Sequence, residues 1–120
     1  MKNEKSPDHP YSFTGLSKTI HEKTRLGILT ALFTKPDGYG FSELKDLCGL
    51  SDGNLSSHLK VLSKENLVST EKSFQDNMPH TQCRLTEKGR NEFLSYLHEL
   101  ESVLKTSRSS IGEWPEIEPA

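Results

Sequence analysis

A chain of 120 residues with 32% hydrophobic and 27% charged positions has room for one small core and little space for a deep substrate cavity. Its formal net charge of -2 does not announce a nucleic-acid binder, and no apolar run is long enough to cross a membrane. By segment, residues 1–15 are neutral, residues 16–85 carry nine basic and eight acidic groups, and residues 86–120 carry four basic and seven acidic, so the acidity sits at the C-terminal end.

Residues 1–15 hold Pro7, Pro10 and Gly15 without periodicity and read as a flexible arm. Ser17 is placed to cap a helix in which Ile20, Leu26, Ile28, Leu29, Leu32 and Phe33 recur at helical spacing. Pro36-Asp37-Gly38 stops it. Ser42 caps a short helix through about Cys48, with Leu44 and Leu47 turned inward, and Gly49 suits the left-handed position after it. Ser51 then caps a third helix running to about Glu65. Leu55, Leu59 and Leu62 form its apolar stripe, and Asn66 suits its end.

The period then changes. Residues 67–72 and 81–85 read as two strands, with the turn-rich Gln75-Asp76-Asn77-Met78-Pro79 between them. Thr86 caps a last long helix striped by Phe93, Tyr96, Leu97, Leu100, Val103 and Leu104, with Gly89 one turn in as a close-packing point. From Thr106 onward Ser, Glu and Pro dominate. The fold class is mainly α with a small β-hairpin (α+β): two short helices joined by a tight turn, then a hairpin, which is a winged helix-turn-helix. The expected division is an arm over 1–15, a DNA-binding domain over 16–86, a dimerisation helix over 87–105 and an acidic tail over 106–120 that holds Trp114.

A helix that enters the major groove needs an apolar face to anchor it and a polar face to reach base edges. The third helix, about 51–65, has both. Asp52, Asn54, Ser56, Ser57 and Lys60 stand opposite the leucine stripe, and Gly53 has no side chain to hold the backbone off. Asn54 can pair with adenine through two hydrogen bonds. Ser51 and Ser57 can donate to phosphates, and Lys60, Lys64 and Lys72 can neutralise them. An ordinary amphipathic helix also starts with small polar residues, because its cap requires them. His58 lies at the edge of the leucine face and reads either as a phosphate contact or as a half-buried packing residue. Arg25 can pair with an acidic residue or with a phosphate, and a structural pair is the favoured reading.

The stretch from Ile20 to Leu29, Phe41-Ser42-Glu43-Leu44, Leu50 through Leu62 and Leu85-Thr86-Glu87-Lys88-Gly89-Arg90 together resemble winged-helix regulators of the MarR/ArsR-like superfamily. The resemblance covers roughly residues 16–105. It implies the winged-helix fold, transcription regulation and a homodimer, with base reading by Asp52, Asn54, Ser56, Ser57 and Lys60. It also implies a wing, about 72–81, that brings Lys72, Phe74, Gln75, Asn77 and His80 to the flanking backbone or minor groove. The wing departs from the pattern of a Gly and an Arg or Lys near the tip, since this chain has Gln75-Asp76-Asn77-Met78.

The stripe of the last helix exceeds what three small helices can cover, so Leu16, Ile20, Phe93, Tyr96, Leu97, Leu100, Val103 and Leu104 are expected at a dimer interface. Cys48 and Cys83 lack paired spacing, and the five histidines lack ligand spacing, so neither metal nor cofactor is expected. No nucleophile motif or phosphate loop suggests an enzyme. The expected partners are duplex DNA and a second copy, with no membrane. The expected compartment is the cytoplasm, and a small-molecule effector is left open. A different class, a winged-helix protein-interaction module without DNA affinity, fits the near-neutral charge.

Overall fold

The computed structural model describes residues 8–112 and 115–116. Trp114 lies outside them, as do the first seven residues of the arm. The element order is α1 (Lys23–Phe33), β1 (Tyr39–Gly40), α2 (Phe41–Cys48), α3 (Asp52–Lys64), β2 (Val68–Gln75), β3 (Met78–Leu85) and α4 (Glu87–Ile111). The strands form one antiparallel sheet in the order β1-β3-β2.

α1 begins later than its apolar spacing suggests. Ser17 closes only an isolated turn, in which its Oγ accepts from the Ile20 N–H at 3.3 Å. Glu22 then takes extended backbone angles and becomes the cap, its carboxylate accepting from the Arg25 N–H at 2.8 Å. Ile20 therefore enters the core from a turn rather than from a helix.

α2 is capped by the backbone N–H of Gly40, which donates to the Glu43 carboxylate at 3.3 Å, and not by Ser42. Gly49 ends the helix at φ 64, as its place in the sequence suggests. Leu44 is fully buried, but Leu47 is 62% exposed, so only the first of these leucines turns inward.

α3 follows at once. Ser51 Oγ accepts from the Asn54 N–H at 3.1 Å. Leu55, Leu59 and Leu62 are buried together with Ile28, Leu29, Leu32 and Leu44. The end of α3 is tied to the sheet, because the Leu67 N–H donates to the Leu62 carbonyl at 2.9 Å.

The hairpin is longer and its turn tighter than the sequence suggests. Gln75 pairs with Met78, leaving only Asp76 (φ 52) and Asn77 (φ 63) as the turn. Positive φ at both central residues is the hairpin geometry whose twist matches that of the strands, and Asp and Asn tolerate it. Pro79 lies within β3 because β1 reaches only Gln82 and Cys83, so β3 has a free side at its start.

α4 packs over the sheet and α1. The Thr86 hydroxyl accepts from the Gly89 N–H at 2.8 Å. A Cβ on Gly89 would stand 1.9 Å from the Leu67 carbonyl oxygen, so only glycine lets the helix approach this closely. Further along, the Phe33 and Phe93 rings lie 5.3 Å apart and Arg90 covers the Phe33 ring at 4.6 Å.

Candidate nucleic-acid interface

Ser51, Asp52, Asn54, Ser56, Ser57, Lys60 and Lys64 are all exposed along α3, while the leucines on its other side are buried. A helix of this length is about 20 Å long, enough to lie along a major groove. Nothing stands within 4 Å of the point where a Gly53 Cβ would be, so the first turn of the helix presents bare backbone.

Asp52 is engaged. Its carboxylate lies 3.1 Å from Lys45 Nζ, and this hydrogen bond holds the Lys45 ammonium above its usual range. The pair links α2 to the first residue of α3 and fixes the turn between them. Asp52 is thereby partly committed to orienting the helix, whereas Asn54 keeps its side-chain amide at the surface.

His58 is half-buried between α3 and the start of α1. Its Nδ1 lies 3.2 Å from Arg25 Nη1 and 3.8 Å from a Glu22 carboxylate oxygen. A guanidinium can only donate, so Nδ1 accepts in the Arg25 contact. Arg25 also donates through Nε to the Thr19 carbonyl at 2.7 Å, and the Arg25 backbone N–H holds the Glu22 carboxyl below its usual range. The structural pairing expected of Arg25 is thus present, and it makes His58 part of the joint between α1 and α3.

On the wing, residues directly opposed across the two strands share a face. Lys72 opposes Thr81 and Phe74 opposes Pro79, while Gln75 opposes Met78 on the other face. β2 is exposed at every position after Val68, so the hairpin projects from the body. His80 does not project with it. Its ring lies where a Gly40 side chain would be, and its Nε2 is 2.8 Å from Gln82 Oε1, so it packs at the root of the wing.

The stripe of α4 divides. Phe93 and Tyr96 are 1% exposed, as is Ile20, so these three are filled by the chain's own core and present no surface to a partner. The correction follows from the N-terminal segment, which periodicity could not place on α4. His21 Nδ1 lies 2.7 Å from the Tyr96 hydroxyl, and the Gly15 N–H donates to the buried Glu99 carboxylate at 3.4 Å. Leu16, Leu97, Leu100 and Val103 remain partly exposed, and Leu104 and Ile111 are 45% and 51% exposed.

Burial raises the thiol of the half-buried Cys48 and pushes that of Cys83 up to about 11. Among the described residues no group of His, Cys, Asp and Glu is arranged to hold a metal, and no helix is long and apolar enough to cross a membrane.

A core drawn from all four helices, an exposed polar helix start and a projecting hairpin define a winged-helix fold. Comparison with known proteins agrees: the chain belongs to the family described as "Winged helix DNA-binding domain", whose model matches residues 24–104. An uncharacterized protein of Methanocaldococcus jannaschii, MJ0432, is 38% identical over 73% of this chain and 95% of its own. A transcriptional regulator homologue from Pyrococcus horikoshii OT3 superposes with a TM-score of 0.70 at 32% identity, covering 75% of this chain and 88% of that one. The M. tuberculosis regulator MOSR, solved in complex with DNA, shares the fold at a TM-score of 0.62 and 22% identity, covering 84% of this chain and 71% of that one. The winged-helix fold expected from the sequence is the one these comparisons find.

Proposed function

We propose that this protein binds duplex DNA sequence-specifically as a homodimer and represses transcription by occupying its operator. The observation that carries this reading is α3, anchored by three buried leucines and exposing Asn54, Ser56, Ser57 and Lys60 on its other side. In this reading α3 lies in the major groove. Asn54 reads a base edge, with Asp52, Ser56, Ser57 and Lys60 beside it. Ser51 and Lys64 serve phosphates, His58 holds α3 against α1 instead of reaching the backbone, and the wing brings Lys72, Gln75 and Asn77 to the flanking DNA, with His80 supporting it from the root. Residues 16–86 form the reading unit, and it works in the compartment that holds the DNA, the cytoplasm.

The second copy pairs through α4. Leu97, Leu100, Leu104 and Ile111 fall at steps of three, four and seven residues, the seam spacing of paired helices. With Leu16 and Val103 they form an apolar strip that the core covers only in part. The pairing helix thus extends past residue 105. Twofold pairing sets the two reading helices about 34 Å apart, one DNA turn, and calls for a palindromic site.

The net charge of -2 favours a second reading, a protein-interaction module. Selection of bound duplexes from a random pool, followed by anisotropy titration of the winner against salt, separates the two. A regulator yields a palindrome whose affinity falls by about 0.9 log units per log unit of salt for each phosphate neutralised. A module yields neither enrichment nor salt dependence.

A further inference from the structure

The tip of the wing carries a feature the major-groove reading does not use. Phe74 is 76% exposed and Met78 66% exposed, and neither contributes to the core. Between residues 73 and 81 there is no Lys or Arg, and the turn itself carries Asp76. A basic finger, which would follow the negative potential of a narrow minor groove, is therefore not what this hairpin offers.

What it offers is a stiff apolar edge. Strands of eight residues extend about 26 Å at ~3.3 Å per residue. The two-residue turn fixes their register to the last pair. The link from Leu67 to Leu62 ties the root to the end of α3. On one face of the tip, Phe74 sits across from Pro79 with Lys72 and Thr81 the next pair inward, and these side chains line one shallow depression. An aromatic ring backed by a proline, with an ammonium group one pair away, suits a surface that has both base faces and phosphates.

We propose that the wing engages DNA as an apolar wedge: Phe74, backed by Pro79, presses against a base step in the minor groove beside the site read by α3, while Lys72 pairs with the adjacent phosphate. This deepens the DNA-binding reading and rests on it. Inserted apolar side chains part base steps and kink the duplex, and pyrimidine–purine steps yield most easily. The wedge thus adds sequence preference in the flanks of the operator without any hydrogen bond to a base.

The test uses the full chain and the selected duplex, with 2-aminopurine substituted in turn at each flanking position. Unstacking of the probe raises its fluorescence. Wild-type protein is expected to raise it at one or two positions in each flank. Phe74→Ala is expected to abolish the rise and weaken binding about tenfold, the size of one lost aromatic–base stack. Phe74→Leu is expected to retain part of the rise. Because Phe74 is exposed, the alanine variant is expected to melt like wild type, and the motif read by α3 is expected to be unchanged. Tight, palindromic binding with silent probes and no effect of Phe74→Ala overturns the wedge alone and assigns the apolar tip to a protein contact. No bound duplex at any salt overturns the DNA-binding reading itself.

Discussion

In the proposed reading Asn54 has two separate tasks, and they fall on different atoms. Its backbone N–H is held by Ser51 Oγ, which fixes the first turn of α3, while its side chain is exposed. Replacing Asn54 with Ala keeps the backbone bond and removes only the amide. The expected result is a loss of about 1–3 kcal/mol of discrimination at one base position in each half-site, read by competition with single-substituted operators. Lys60→Ala is expected to weaken binding more evenly across sequences. Gly89 is the opposite case, a residue whose importance lies in what it lacks. Gly89→Ala forces a methyl group against the Leu67 carbonyl, so α4 must move away from the sheet. Calorimetry is expected to show a loss of about 3 kcal/mol, at the upper end for overpacking, although alanine is the better helix former.

The elements differ in how far the sequence reveals them. α3 was legible because one stripe, Leu55, Leu59 and Leu62, and one cap, Ser51, define it locally. The start of α1 was not, since the cap is a carboxylate whose position depends on Arg25 and, across the fold, on His58. The turn of the wing resembles a longer loop in sequence because Asp76 and Asn77 adopt positive φ without a glycine to signal it. The stripe of α4 announced burial but not its source: Phe93 and Tyr96 meet their own chain, and nothing in their spacing distinguishes that from a partner. The cap of α1 also makes a pH-dependent contribution. The Arg25 N–H lowers the Glu22 carboxyl below its ordinary value of 4.5, so its stabilisation is complete above about pH 4.5 and is lost as pH falls through the lowered value. Glu22→Ala is expected to melt earlier at pH 7, by an amount on the order of 1 kcal/mol, the usual cost of a lost cap. The gap from wild type is expected to close in acid, as thermal melts at several pH values can show.

At the scale of the whole molecule, the proposed pairing rests on apolar side chains along α4 that the chain's own core covers only in part. Leu104 is the best place to test it, because it is 45% exposed and lies outside the buried core. Leu104→Glu is expected to sediment as a monomer with its helical circular dichroism retained, and to bind a half-site far more weakly than the dimer binds the full palindrome. A dimer that survives the change places the interface elsewhere. The sheet raises a separate issue of solubility. β2 lies at the end of the strand order, and every residue after Val68 is exposed, so one side of its backbone is a ready template for a strand from another molecule. Glu71 and Lys72 stand at the middle of that edge, where their charges resist such pairing. Replacing both with valine is expected to leave the monomer fold intact yet make concentrated solutions scatter light and bind thioflavin over time. The hairpin proposed to reach DNA is thus also the part of the molecule that its charges must keep from forming fibrils.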